Sequence, residues 1–346
     1  MVMRSIWVTL CILILAGCKD NELLVNAPPK DMLTVFGILN ASDSVHHVRV
    51  GRLFLPPSDA VKAAQNHRDL VEEAVVTLTG GDTVIYFSRV DTLRADGLFP
   101  KDMTVFRGLG RLKPNTTYRL EVSLPGGLKA RARTTVPNVP AFLFPPETFV
   151  YQGNIEGWYP YNFQAGSLSI GFGEKRRGAA GNQEVRPSAY EVRFFFRYGL
   201  VPGVFDQEIV YGPTGPPFSG DIAACPQKYG ASTWEYESCF NVGRGFLNYL
   251  LDRLPPGQTI YTDLSPFNTS TRIEITAIDT FLYNYMRANA PNFEDFTTVR
   301  PEYTNVEGGL GVLGSVVKAN RYVHWSDCAR YLARLNDTPR PSGSCQ

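Results

Sequence analysis

The sequence predicts a mainly β protein: an N-terminal immunoglobulin- or fibronectin type III-like β-sandwich, followed by a larger β-rich domain with two or three short helices. Three observations carry this. Period-two alternation recurs, most clearly where Tyr118, Leu120, Val122 and Leu124 interleave with Thr117, Arg119, Glu121 and Ser123. Turn formers are abundant, with 31 Gly and 25 Pro in 346 residues, beside 17 Tyr and 21 Phe that favour strands. Helical spacing of apolar residues is limited to short stretches, chiefly in the second half.

In the N-terminal sandwich, expected over residues 32–137, strands are predicted at Leu33 to Leu39, Val45 to Leu53, Ala74 to Thr79 and Thr83 to Ser88, the last two joined as a hairpin by Gly80-Gly81-Asp82. The alternating 117–124 segment turns at Pro125-Gly126-Gly127 and returns through Ala130 and Ala132, flanked by Lys129, Arg131 and Arg133. Pro137 then stops the ladder. The stretch Leu112 to Leu120 resembles a fibronectin type III F strand, in which a tyrosine near the strand's start packs the corner of the sandwich. Residues 58–70 read as a short helix or a loop.

The C-terminal domain is expected over residues 138–346, as a sandwich or a barrel. Strands are predicted around Ser167 to Phe172, Tyr190 to Arg197 and Arg272 to Thr276, with 198–239 irregular. Phe246, Leu247, Leu250, Leu251 and Leu254 recur at helical spacing, as do Ile278, Phe281, Leu282, Tyr285 and Met286, the latter capped by Thr276 or Asp279. A third helix is expected from Ser326 through Leu335. The aromatics of the second stripe, Phe281, Tyr283 and Tyr285, read as core. Trp158, Tyr159 and Tyr161 are the aromatics expected to face a ligand.

The first residues fix an expected location. Arg4 precedes the apolar run Ile6 to Ala16, and Leu15-Ala16-Gly17 stands directly before Cys18. That order is a secretory signal over residues 1–17 ending in a lipobox. The run is too short for a bilayer core, which needs about 20 residues. The mature chain is expected to begin at Cys18, with a diacylglycerol on its thiol and a further acyl chain such as palmitate on its amine, two signals that together hold a protein at a membrane. Residues 18–31 would be the lipidated tether. Lys19-Asp20-Asn21-Glu22 resembles the Lys-plus-acidic surface-export signal of lipoproteins of the Bacteroidetes, which implies an outer-membrane protein facing the cell surface; the alternative is an ordinary polar tether on the periplasmic face.

Composition narrows the partners. Lys+Arg 34 against Asp+Glu 33 gives no single-sign excess of the kind nucleic-acid binding uses. Of six cysteines, Cys11 lies in the signal and Cys18 takes the lipid. Cys225, Cys239, Cys328 and Cys345 remain, and an even number in an exported chain favours two disulfides. Three pairings exist; proximity favours Cys225–Cys239 and Cys328–Cys345. The spacings are not those of a thiolate metal site, so no metal is expected.

Asn305 to Ser315 places four glycines around aliphatic residues. It is neither a phosphate-binding loop, lacking the Lys-Ser/Thr pair, nor the opening of a dinucleotide fold. Glycine here is expected to allow a tight turn and a close strand crossing, with Asn305 and Glu307 bonding across the turn. The stretch resembles the N-x-x-GG-x-G-x-F/L-G signature of the DUF4249 family of lipoproteins. Val35-Phe36-Gly37-Ile38-Leu39-Asn40 resembles that family's opening strand, Glu73 to Leu78 its second block, and Ile273 to Asn284 its late strand and helix. The cysteine-bearing tail after 320 departs from the family. The resemblance implies a cell-envelope lipoprotein of the kind often encoded beside TonB-dependent outer-membrane receptors, and it supplies no catalytic residues.

No catalytic motif stands out. His46 and His47, adjacent in a predicted strand, point to opposite faces. HExxH, GxSxG and calcium-loop patterns are absent from the sequence. The expectation is a non-catalytic surface-binding or transport-accessory lipoprotein without cofactor, partnered by the membrane and by a TonB-dependent receptor or another envelope protein. A structural or adhesive envelope component and, more remotely, a hydrolase are the alternatives.

Overall fold

Alternation becomes strands wherever it was read in the first third of the chain. In the computed structural model, described here for residues 32–53, 71, 73–93, 102–144, 169–175, 187–212, 222–224, 234–241, 249–263, 271–290, 303–322, 330–331 and 334–339, seven strands lead. They are β1 (Leu33–Asn40), β2 (Val45–Arg52), β3 (Val75–Gly80), β4 (Thr83–Leu93), β5 (Asp102–Leu109), β6 (Thr117–Ser123) and β7 (Lys129–Thr135). Their order is β1-β2-β5-β4-β3-β6-β7, each antiparallel to its neighbour. This is the strand order of a fibronectin type III sandwich, three strands against four. One buried cluster joins the two groups: Leu33, Val35, Val48 and Phe106 from one side meet Leu78, Ile85, Tyr118 and Leu120 from the other.

β4 connects the two groups by changing partners along its length. Its residues 83–87 pair with β3 and its residues 87–93 with β5, so Phe87 stands opposite both Val76 and Gly108. Gly108 and Gly110 make that corner possible. A Cβ on Gly108 would lie 2.7 Å from Ile85 and 2.9 Å from the Phe87 ring, and one on Gly110 2.6 Å from Ile85. The expected tyrosine corner is present. Tyr118 is fully buried, and its hydroxyl accepts the Lys113 backbone N–H at 2.8 Å.

The later strands are β8 (Ala141–Phe144), β9 (Ser169–Lys175), β10 (Ala189–Tyr198), β11 (Gln207–Tyr211), β12 (Ile222–Ala224), β13 (Trp234–Asn241), β14 (Thr271–Ile278), β15 (Val306–Glu307) and β16 (Gly309–Tyr322), with helix α1 at Thr280–Asn289. The 198–239 stretch, read as irregular, therefore carries β11, β12 and most of β13. A separate sheet runs β12-β13-β9-β8. The main sheet has twelve strands, ordered β11-β10-β14-β16-β1-β2-β5-β4-β3-β6-β7-β15.

β16 is the strand that joins the first seven strands to β14, β10 and β11 in the twelve-stranded sheet. Residues 309–316 run parallel to β1, and residues 316–322 run antiparallel to β14. The pairing crosses the boundary expected near 137, and Ala277, Leu313 and Val317 belong to the buried cluster of the sandwich. A second core lies beyond, where Phe194, Phe196, Ile273 and Ile275 pack with Leu250, Leu254 and Leu335.

The helices follow the predicted stripes in part. Of the two candidate caps, Asp279 is the one used: its carboxylate accepts the Leu282 N–H at 2.8 Å. Ile278 ends β14 rather than starting the helix. Leu282 is the buried residue of α1; Phe281, Tyr283 and Tyr285 are half-buried, Tyr283 packing against the buried cluster of Ile278, Leu282 and Val316, so the stripe expected as core sits at its margin. The cause is a shallow seat: α1 lies on the outside of the sheet, with Leu282 against Gly314 and Tyr285 edge-on to Phe36. Residues 249–251 and 330–331 are the described parts of the other two helical segments, and Leu335, expected in the last helix, instead bridges to Ile260.

Candidate functional site

The glycine-rich stretch folds as the end of β15, a one-residue turn at Gly308 and the start of β16. Gly308 takes φ +77° and Gly311 φ +119°, both in the region that favours glycine. Around them the backbones touch. A Cβ would sit 2.6 Å from the Lys129 carbonyl at Gly308, 2.5 Å from the Leu33 carbonyl at Gly309 and 2.0 Å from the Val35 carbonyl at Gly311. At Gly314 it would meet the Leu282 Cβ at 2.5 Å. The glycines thus let β16 lie hard against β1 on one side and α1 on the other, which is the close crossing expected of them.

Asn305 secures this crossing. Its Oδ1 accepts the Leu313 N–H at 2.9 Å, and its Nδ2 donates to the Leu313 carbonyl at 2.8 Å and to the Arg133 carbonyl at 2.9 Å. The side chain behaves as one extra residue of β ladder between β7 and β16. Beside it lies a buried polar cluster. The Thr134 hydroxyl donates to Asp279 Oδ2 at 2.5 Å and lies 2.8 Å from the Ser315 hydroxyl, and the Asp279 N–H donates to the Ser315 carbonyl at 3.0 Å. Thr134, Ser315 and Asp279 are all buried. Burial pushes the Asp279 carboxyl above the usual carboxylate range, against the pull of the bonds from Thr134, Leu282 and Ser315.

Above this corner the outer faces of β6, β7 and β15 and the first turn of α1 enclose a groove of about 530 Å³. Arg119, Arg131, Arg133, Glu307, Phe281 and Tyr303 line it. Arg131 bonds Glu121 directly across the hairpin, with Nε 3.2 Å from the carboxylate, and stands in register with Glu307 on its other side. Arg119 stands in register with Arg133. Among the described residues neither of these two guanidiniums makes an ion pair or hydrogen bond. Burial raises the Tyr303 phenol above its usual value, against a hydrogen bond from Asn284. The hairpin alternation marked these arginines as outward-facing. The signal missed was the register set by the turn after Leu124, which places 119 opposite 133.

Cys18, Cys225, Cys328, Cys345, Trp158, Tyr159 and Tyr161 fall outside the described residues. Cys239 lies in β13, its backbone paired with Gly171 and Ala223, and its side chain falls outside them too. His46 is buried and His47 exposed, as their alternation required. Among the described residues no three His, Cys, Asp or Glu side chains gather as a metal site would need, and no helix is long and apolar enough to cross a membrane.

Comparison with known families matches residues 21–321 to the model described as "Domain of unknown function (DUF4249)". The chain belongs to the DUF4249 family. Among curated proteins no match was found. In this DUF4249 chain the matched region ends within β16, so it takes in both partners of the β1–β16 pairing and the whole Asn305–Gly314 corner.

Proposed function

We propose that the chain is a non-catalytic cell-envelope lipoprotein, held at the outer membrane by lipid on Cys18, facing the cell surface and accessory to a TonB-dependent uptake receptor. The observation that carries this reading is the order Arg4, apolar run, Leu15-Ala16-Gly17, Cys18. The Lys19-Asp20 tether and membership of the DUF4249 family support the address. In this reading Cys225, Cys239, Cys328 and Cys345 form two disulfides in an oxidising compartment. The groove over β6, β7 and β15 supplies a place for a ligand.

The test has two arms. Labelling with palmitate should mark the wild-type chain and leave Cys18→Ala unmarked; equal labelling of both would overturn the anchor. Pull-down of the mature protein from native membranes in mild detergent should recover a TonB-dependent receptor. Recovery of this chain alone, or of its own copies, would reject the uptake role.

A second reading, a structural envelope component that assembles with its own kind, draws on one observation. Val84, Tyr86 and Leu109 are 54%, 74% and 64% exposed and line a shallow hollow of about 420 Å³ on β4 and β5. Light scattering showing a stable oligomer that Tyr86→Ser dissolves would favour it.

A further inference from the structure

We infer that the groove between the β6–β7 hairpin and α1 is a binding site for a dianionic phosphoryl group, clamped between Arg119 and Arg133. The inference goes beyond the lipoprotein reading and does not depend on it.

Two neighbouring rows of the sheet differ in charge. In one, Glu121, Arg131 and Glu307 alternate in sign across β6, β7 and β15, and Arg131 is bonded to Glu121. In the next, Thr79, Arg119 and Arg133 follow one another across β3, β6 and β7, with no carboxylate between the two arginines. Like charges directly opposite on antiparallel strands destabilise the pair. Here the two stand exposed at the lining of a groove of about 530 Å³, where neither guanidinium has a partner among the described residues.

The unmet chemistry defines the ligand. Two planar guanidiniums facing one space match an oxyanion that accepts from both, which is the geometry arginine serves better than lysine. The whole lining, three arginines against two glutamates, carries a net charge of +1, but both glutamates stand in the Arg131 row; the Arg119–Arg133 row by itself holds two cations, so a phosphoryl dianion gives each guanidinium a charged oxygen where a monocarboxylate shares one charge between them. Phe281 and Tyr303 at the same lining offer a wall to a ring or apolar group carried by the phosphate. Phe281 also brings the first turn of α1, the positive end of that helix, to the rim. The ligand class is thus a phosphomonoester with a flat or apolar substituent, free in solution or as a lipid headgroup.

Calorimetry on the purified mature chain carrying Cys18→Ala, so that no acyl chain is attached, at constant ionic strength set with chloride, tests this with phenyl phosphate as probe and with inorganic phosphate, benzoate and phenol as comparisons. Saturable binding of phenyl phosphate at roughly millimolar concentration or below is expected, stronger than that of benzoate or phenol. Arg119→Gln and Arg133→Gln should each weaken it at least about tenfold, Glu307→Gln should tighten it, and Arg107→Gln on β5 should leave it unchanged. Without ligand, Arg133→Gln should melt no lower than wild type, because it relieves the like-charge contact. Flotation with phosphatidylcholine vesicles containing or lacking phosphatidic acid separates the two sources: arginine-dependent flotation assigns a lipid headgroup, and its absence alongside phenyl phosphate binding assigns a soluble ester. Equal binding by wild type and both arginine variants, or no saturable binding, would overturn the site.

Discussion

Asn305 and Leu313 are joined by two hydrogen bonds of 2.9 and 2.8 Å, an amide side chain standing in for a strand. Its free donor reaches on to the Arg133 carbonyl, so one residue ties β7 to β16. Asn305→Ala would leave three backbone groups without this partner. A loss of about 1–3 kcal/mol is expected in urea unfolding. Asn305→Asp should be worse than Ala, since it sets a carboxylate against two carbonyl oxygens. A variant Asp as stable as wild type would show that the bracket does not hold the corner.

Gly314 and Leu282 make a second testable contact, with 2.5 Å between the leucine Cβ and an added one. Gly314→Ala should therefore lift α1 and cost about 1–3 kcal/mol as overpacking. Combining it with Leu282→Ala cannot remove the Cβ contact itself, but it removes the side chain that pins the helix down. The two changes should then cost less together than their sum in a double-mutant cycle. Simple additivity would mean that the helix does not rest on that glycine.

His46 predicts one direction of pH dependence. It is buried, its Nε2–H donates to the Gly110 carbonyl at 3.0 Å, and its Nδ1 has no partner among the described residues. Burial holds its pKa below the ordinary 6.5. The unfolded chain then binds the proton more readily than the folded one. The stability from neutral His46 is complete above pH 6.5 and is lost as pH falls through the lowered folded value. His46→Leu should flatten that part of the profile of melting temperature against pH; an unchanged slope would locate the dependence elsewhere.

Asp279 predicts the opposite slope. Its pKa is raised from 3.8 by burial, so the folded state takes up the proton first. Its contribution is complete below 3.8 and is lost as pH rises through the raised value. Asp279→Asn keeps an acceptor for the Leu282 N–H and carries no charge. It should match or exceed wild-type stability at pH 7, with the difference narrowing towards pH 4. A variant that is less stable at pH 7 by as much as at pH 4 would argue that the carboxylate is held ionised by its bonds.

The legible parts of the sequence were those where one face is buried and the other wet. β6 and β7 announced themselves because Tyr118, Leu120 and Val122 alternate with charged residues, and the hydroxyl of Tyr118 landed where a fibronectin type III corner needs it. β16 was not legible as a strand. Gly309, Gly311 and Gly314 lower its strand propensity, and residues 311–317 are buried on both faces, between core and helix, so alternation vanishes. The groove was half legible: the arginines read as surface, but their meeting depends on hairpin register and on α1, which arrives from residues far along the chain.

That distance has a consequence for how the molecule comes to exist. Ser42, just past β1, bonds Lys318 on β16 across 276 positions of sequence. A growing chain must hold its first strand with one edge unpaired until nearly all the rest has followed. Folding is expected to be slow, as for any topology closed by its most distant partners. In the meantime the open edge of β1 is a template for another chain's strand. A product that stops short of β16 therefore loses more than its tail: it exposes the opening strand to wrong partners, and its fate is aggregation or proteolysis rather than a smaller working domain.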